Sequence, residues 1–382
     1  MAAPLCGTHL GDFGAEVIKV EIPGGGDLHR RNRPAEHING LSPDFAVDNR
    51  NKKSVTLDLH AHRGQELLKR LVEHADVLIE NFRPGTLERW NLGYEQLSAV
   101  NPGIIIARIS GYGQTGPHKD RVGEATTTGA FAGHVYLNGA PDGPPGRLPM
   151  PYGDHFGALF ALYGIMLALR VRDRTGKGQM IDVSLAEALT RITSGLISSY
   201  AAHGTVRERR RNADPAQPGV GIFFAGDHKY VAVDAGDDRH FARWAEHMGR
   251  PDIAGSPAYR HIKDRIEHGP EITAMISSWI GAQPASAVVE TLQELGIPCD
   301  VVNSVKELFE DRHLRERGAV TPVDAGASGT IYMPGVLPHL SDTPGRIKPF
   351  SLSIGENNAE VYGGLLNLSA EDLRVLTADG VI

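Results

Sequence analysis

The sequence predicts an α/β protein built on a large, doubly wound, Rossmann-like parallel sheet, followed by a smaller α+β domain. Three observations carry this. Strand-like and helix-like segments alternate through the first half, the pattern of a parallel sheet with helical crossovers. A basic run, Arg207 to Arg211, and a proline-containing stretch, Ala213 to Gly219, then break the alternation. Beyond them a hairpin pattern and three helical patterns follow, as in an α+β unit.

The elements run as follows. Pro4 to Phe13 is helix-like, although a doubly wound sheet usually opens on a strand. Val17 to Glu21 reads as a strand. Arg63 to His74 reads as a helix, because Leu67, Leu68, Leu71 and Val72 fall at helical spacing. Val77 to Glu80 is a strand, Tyr94 to Asn101 a short helix, and Ile104 to Ser110 a strand rich in β-branched residues. Phe156 to Leu169 is an apolar stretch of helical length, and Met180 to Leu185 is β-like. Gly221 to Phe224 and Tyr230 to Val233, joined through Gly226-Asp227-His228-Lys229, read as a hairpin. Helices are expected around His240 to Met248, Gly269 to Ile280 and Ala285 to Leu295. Ligands of parallel sheets bind beyond the C-terminal strand ends, which points to Asn81 and Gly111.

Composition narrows the function. A chain of 382 residues can hold two domains or one large one. Its hydrophobic share of 41% and charged share of 22% are those of an ordinary globular protein, with the cytoplasm as the default compartment. A net charge of −7 argues against a nucleic-acid partner. The apolar run Phe156 to Leu169 is too short to span a bilayer, so no membrane partner is expected. The N-terminus lacks the basic region of a signal peptide. Cys6 and Cys299 imply no disulfide framework. The 17 histidines show no metal spacing; His60-Ala61-His62 has no acidic or cysteine partner and reads as surface.

Asp154 stands in Pro151-Tyr152-Gly153-Asp154-His155 just before the apolar helix. Read locally, it is an N-cap, favoured there by the positive end of the helix dipole and kept ionised by it. Gly111-Tyr112-Gly113-Gln114-Thr115-Gly116 matches a dinucleotide pattern, but Pro117 and polar residues follow where a helix should open. It reads instead as a loop after the strand.

The order of several motifs adds a further layer. Gly14 to Glu21, Asn49 to Ser54, Glu80 to Gly85, Gly153-Asp154 before the long helix, Arg172 to Gln179, Leu340 to Pro344 and the terminal Gly380-Val381-Ile382 together resemble the class III CoA-transferases. That family includes formyl-CoA transferases, carnitine CoA-transferases and α-methylacyl-CoA racemases. The resemblance implies a discontinuous large domain, 1–205 with 322–382, a small domain over 206–321, and an interlocked homodimer. It implies a strand ahead of Pro4, so either the start is short by about one strand or this is a variant whose sheet has lost it. Coenzyme A and its acyl thioesters are implied as substrates, with a carboxylic acid acceptor and no prosthetic group. Asp154 would be the nucleophile, forming an aspartyl anhydride and then an aspartyl-CoA thioester, with Glu124 as its partner. Arg30, Leu57, His60, Asn81, Phe82, Arg83, Arg89 and Arg121 would contact CoA; no metal is implied.

Four departures refine this. Glu124 replaces the His of the racemases, which favours transfer over the alternative, 2-methylacyl-CoA racemisation. Arg121, three residues away, is expected to hold its pKa down. His60 and Asn357 stand where the family usually has Lys and His, which keeps an inactive CoA-binding paralogue as a further alternative. Arg211 to Gly219 lacks the consecutive glycines of the formyl and oxalyl enzymes, so those acyl groups are not expected.

Overall fold

The computed structural model describes residues 1–210, 212, 216–348, 350 and 353–382. Arg211 and residues 213–215, inside the stretch read for its lack of glycines, lie outside them. The chain forms two compact units: residues 1–135, 147–205 and 312–382, and residues 136–146 with 206–311.

The first unit opens on helix α1 (Ala2–Asp12), which leads into strand β1 (Val17–Glu21). Helix α2 (Pro43–Asn49) precedes β2 (Lys52–Thr56), and α3 (His62–Val72) precedes β3 (Val77–Glu80). A short helix α4 (Thr86–Arg89) follows, then β4 (Ile105–Ser110), α5 (Ala125–Phe131) and the long α6 (Tyr152–Thr175). Next come β5 (Met180–Ser184), α7 (Leu185–Arg191) and α8 (Leu196–His203).

The strands are parallel, but they do not form the single doubly wound sheet expected. β1 pairs only with β2, while β3, β4 and β5 form a separate three-stranded ladder. The segment ahead of β1 is helix, and no strand among the described residues joins β1 to β3. Helix α1 instead packs Leu5 and Cys6 into one apolar cluster with Ala107 and Ile109 of β4 and Ala158, Ala161 and Ile165 of α6. β4 is buried along its whole length, which suits the near-continuous apolar run of a central parallel strand.

Helix α6 is longer at both ends than its apolar run. It starts at Tyr152 and ends at Gly176, whose φ of 71° is the left-handed stop that glycine provides. Its 24 residues are long and apolar enough to cross a membrane by length and composition. One face, however, is a row of small residues buried within the unit: Gly153, Gly157, Ala158, Ala161, Ile165 and Ala168. A Cβ on Gly157 would come within 2.5 Å of Leu185 Cδ2. The opposite face, Leu159, Phe160, Tyr163, Met166, Leu167 and Val171, is exposed.

The C-terminal part completes this unit. A hairpin of β9 (Val320–Asp324) and β10 (Thr330–Pro334) packs Val323, Ile331 and Met333 against Phe45 and Ala46 of α2. Helices α9 (Asn358–Leu366) and α10 (Ala370–Ala378) close the core around Val55, Leu57 and Leu71. Asn357 now has a structural account. Its Oδ1 accepts from Ser54 N–H at 2.9 Å, and its own N–H donates to Ser54 O at 2.9 Å. Asn358 Oδ1 accepts from Thr56 N–H at 2.8 Å, so the two side chains satisfy the free edge of β2.

The second unit has the expected hairpin. β6 (Val220–Phe224) and β7 (Tyr230–Asp234) are antiparallel, and β8 (Cys299–Val301) adds to β7. Helices Asp238–His247, Gly269–Gly281 and Ala285–Glu294 bury Phe241, Trp244, Ile272, Ile276, Ile280, Val288 and Leu292 against this sheet.

In the first unit, Arg50 binds three elements together. Its Nε and Nη2 donate to the two Asp12 carboxylate oxygens at 3.0 and 2.7 Å, and Nη1 donates to Pro334 O at 2.9 Å. The pair is almost fully buried, with side-chain exposures of 5% and 1%. Removing one partner strands a buried charge. Arg50→Met is expected to destabilise this unit by about 3–5 kcal/mol, read as a lower urea midpoint.

Candidate active site

Asp154 is in the first turn of α6, and Pro151 is the N-cap. The expected cap role is therefore wrong by three positions: Pro151 halts the extended chain, and Tyr152 already has helical geometry. The dipole argument survives, because the first turn still faces the positive end of the helix. A second helix start adds to it. The backbone N–H of Ala2, at the beginning of α1, donates to the Asp154 carboxylate. Burial nevertheless outweighs these effects and pushes the Asp154 pKa upward, against the pull of the Met1 charge, Ala2 N–H, His155 and His29. His155 and His29 are both moved down, chiefly by burial, with Asp154 opposing.

Glu124 reaches the same place through glycine. It is the N-cap of α5, its N–H donating to Thr127 Oγ1 at 2.9 Å. A Cβ at position 153 would stand 3.1 Å from Thr128 Oγ1 and 3.5 Å from Ala125 Cα. The bare Gly153 thus lets the first turn of α5 lie against the first turn of α6. Glu124 itself is exposed. Arg121 does not face it as expected: its guanidinium sits 5.1 Å from the Tyr112 ring and 5.8 Å from the Phe131 ring, and no ion pair joins the two among the described residues. Stacking on two aromatic faces competes with a solvated pair at three-residue spacing, and here it prevails.

The Gly111 to Gly116 loop follows β4, and no helix opens on its last glycine. Gln114 N–H donates to both oxygens of Asp182 on β5, at 3.1 and 2.9 Å. A Cβ on Gly111 would meet the Gly123 backbone at 2.9 Å, so loop and α5 approach backbone to backbone.

The residues expected to hold CoA divide into three groups. His60, Phe82 and Trp90 form an aromatic shelf: the Trp90 ring is met edge-on by His60 at 5.0 Å and by Phe82 at 5.2 Å. Asn81, Arg83 and Arg89 are exposed residues of the same loop and helix, with Arg89 Nη2 donating to Thr86 Oγ1 at 2.9 Å. Beneath them, Glu80 accepts from Phe82 N–H at 2.6 Å and from Arg108 Nε at 2.7 Å, and Arg108 also reaches Glu88 at 2.6 Å. This buried network fixes the turn after β3. Arg30, by contrast, is committed internally. It donates to both Glu21 oxygens, at 2.7 and 2.6 Å, and lies 4.1 Å from the Phe45 ring. Leu57 is in the apolar core and could meet a ligand only through its backbone.

Trp90 belongs to this surface, and sequence reasoning missed it, as it missed His29 and Asp48, whose charges are coupled to that of Asp154. Trp90 sits next to Arg89, so scanning for aromatics beside the candidate cations would have found it. His29 and Asp48 carry no local signal. His29 Nδ1 and Asp48 Oδ2 are both buried without a hydrogen-bond partner. Burial pushes the Asp48 carboxyl up to about 6, with Asp154 and Asp44 adding to the shift and Met1 and Lys52 opposing it.

Three comparisons bear on this arrangement. Residues 1–358 match the family model described as CoA-transferase family III. The chain is 39% identical over 382 residues to the succinyl-CoA–D-citramalate CoA-transferase of Chloroflexus aurantiacus, covering all of this chain and 95% of the relative. It is 40% identical to the beta subunit of the succinyl-CoA–L-malate CoA-transferase of the same organism, again over 100% and 95% of the two chains. Among solved structures, a CAIB/BAIF family protein from Brucella suis superposes with a TM-score of 0.83 at 30% identity, covering 96% of each chain.

Asp48 makes stability depend on pH. Its folded pKa of about 6 exceeds its ordinary value of 3.8, so between these limits the unfolded chain loses a proton that the folded chain keeps. Its contribution is fully present below about pH 4 and is lost as pH rises through about 6, a change of about 3 kcal/mol. Asp48→Asn is expected to remove this slope, measured by urea unfolding from pH 4 to 7 against the parent.

Proposed function

The chain belongs to CoA-transferase family III and is a CoA-transferase, and we propose that it moves coenzyme A between carboxylic acids through covalent catalysis on Asp154. The observation that carries the reading is the convergence of two helix starts, α1 and α6, on one half-buried carboxylate. A carboxylate nucleophile needs to be ionised yet poorly solvated, and its reaction develops negative oxygens that backbone N–H groups stabilise.

The steps balance without a net proton. An Asp154 oxygen attacks the thioester carbonyl, the C–S bond breaks, and a mixed anhydride and the CoA thiolate result. The thiolate attacks the Asp154 carbonyl and expels the donor acid as carboxylate, leaving an aspartyl-CoA thioester. The acceptor carboxylate attacks that thioester carbonyl, the C–S bond breaks, and a second anhydride and the CoA thiolate result. The thiolate then takes the acceptor acyl group and restores the Asp154 carboxylate. Glu124, exposed at the cap of α5, positions the acyl group or thiol. The aromatic shelf of His60, Phe82 and Trp90 offers faces for the adenine, and Asn81, Arg83, Arg89 and Arg121 offer donors for phosphates. Leu57 supports this surface through the core on which Trp90 packs, while Arg30 stays with Glu21 and Phe45. The relatives' names support succinyl-CoA as donor.

Helix α6 exposes an apolar face, with Tyr163 64% exposed, and α8 exposes Ile197 and Tyr200. We propose that a second copy covers both in an interlocked homodimer burying far more than the roughly 1,600 Å² of a standard interface. A single copy has a mass of 41.2 kDa, so light scattering should report about twice that. A monomer at micromolar concentration would sink the assembly.

Asp154→Ala is expected to abolish transfer while the protein remains folded. Mass spectrometry of the parent with succinyl-CoA, without acceptor, should trap CoA on Asp154. Full activity in the variant would refute the mechanism.

A further inference from the structure

Arg108 takes no part in the reaction above, yet its guanidinium joins the two segments that carry the aromatic shelf. It stands on β4 directly across the ladder from Glu80, the last residue of β3. Nε donates to Glu80 Oε1 at 2.7 Å, while Nη1 and Nη2 donate to the two Glu88 oxygens at 2.6 and 3.1 Å. Arg108 and Glu80 are buried, whereas the Glu88 side chain, on α4, is 46% exposed. One buried cation thus holds a buried carboxylate on one edge and a surface carboxylate on the other.

Each carboxylate is tied to one ring. The other Glu80 oxygen accepts from Phe82 N–H at 2.6 Å, which closes the turn after β3. Glu88 sits two residues before Trp90, whose N–H caps α4 on Thr86 O and Leu87 O. The third ring is held separately: Asp58 Oδ1 accepts from the His60 backbone N–H and faces its Nδ1, both at 2.9 Å. The edge-on contact of Phe82 with Trp90, 5.2 Å between centroids, follows from where the two backbones are placed. The Arg108 hydrogen bond also holds the Glu88 carboxyl below its usual range, although Glu88 meets solvent.

We propose that Arg108 is a positioning residue for the nucleotide end of coenzyme A: by bridging Glu80 and Glu88 it sets the spacing of the Phe82 and Trp90 rings that receive the adenine. The inference rests on the transferase reading and adds the residue behind its aromatic shelf. No bond is made or broken at Arg108, and it does not touch the ligand. A purely electrostatic role for Glu88 differs from this in sign. Glu88 adjoins Arg89, a donor to phosphate, and as a bare charge it would repel phosphate. Its removal would then tighten binding, whereas removal of the α4 arm of a positioning bridge weakens it.

The test cuts the bridge at Glu88, because replacing Arg108 would strand buried Glu80. Glu88 meets solvent, so its loss leaves the fold standing. Glu88→Ala is expected to raise the Kd for adenosine 3′,5′-bisphosphate, a fragment of the nucleotide end of CoA, by about 3- to 10-fold in calorimetry, the size of one ordinary hydrogen bond. The KM for succinyl-CoA should rise by the same factor while kcat holds. The succinyl thioester of N-acetylcysteamine, which has no nucleotide, should be turned over alike by variant and parent. Glu88→Gln keeps an acceptor for Arg108 and should recover most of the affinity. A parent that does not bind the bisphosphate, an Ala variant that binds it as well as the parent or better, a Gln variant no better than Ala, or an equal loss on both thioesters would overturn the proposal. The calorimetric arm needs no turnover. A parent that binds the bisphosphate but transfers no CoA would therefore sink the transferase reading, while the order of the three affinities still decides the role of Arg108.

Discussion

The first turns of α5 and α6 meet closely at position 153. A Cβ there would stand 3.1 Å from Thr128 Oγ1, a tight contact that a small shift would relieve, and at the ordinary contact distance of 3.5 Å from Ala125 Cα. The same face continues downward as Gly157, Ala158 and Ala161, which bring the helix axis close to β4 and α7. Small residues at this spacing contribute little apolar burial of their own. What they supply is proximity, and every distance at the nucleophile inherits it.

Around that contact the electrostatics pull in two directions. Two helix starts favour a negative charge on Asp154, and burial opposes it; burial prevails in the direction of its pKa. Asp48 lies further along the same scale, with a cation nearby but no donor on its Oδ2. A buried carboxyl oxygen held short of a hydrogen bond is a local cost to the fold.

Much of this was legible in the residues. Alternation of strands and helices located β1, β3 and β4, and the Gly221 to Val233 pattern located the hairpin of the second unit. Two kinds of feature were not legible. The split between the β1–β2 pair and the β3–β4–β5 ladder depends on which edges meet, and that has no local signature. The fates of Arg30 and Arg121 depended on neighbours that helical spacing does not point to: Glu21 claims one guanidinium, and the rings of Tyr112 and Phe131 hold the other. Spacing identifies a cation but not its partner. Asn357 makes the same point, since its role lies in the edge of a strand three hundred residues earlier.

That long return has a consequence for how the chain is made. Val381 and Ile382 are buried among Val55, Leu57 and Leu71, and the Val381 carbonyl accepts from Asp58 N–H at 2.8 Å. Synthesis runs from the N-terminus, so the core that backs β2 lacks these pieces until residues 381 and 382 have been made. The unit formed mainly by residues 206–311 has no such wait, because nearly all its chain is made together. Folding should therefore run from the inside outward: the inserted unit first, and its host only once residues 381 and 382 can join it. During that interval the apolar side of β2 stands open, and the cell's chaperones have a defined surface to guard.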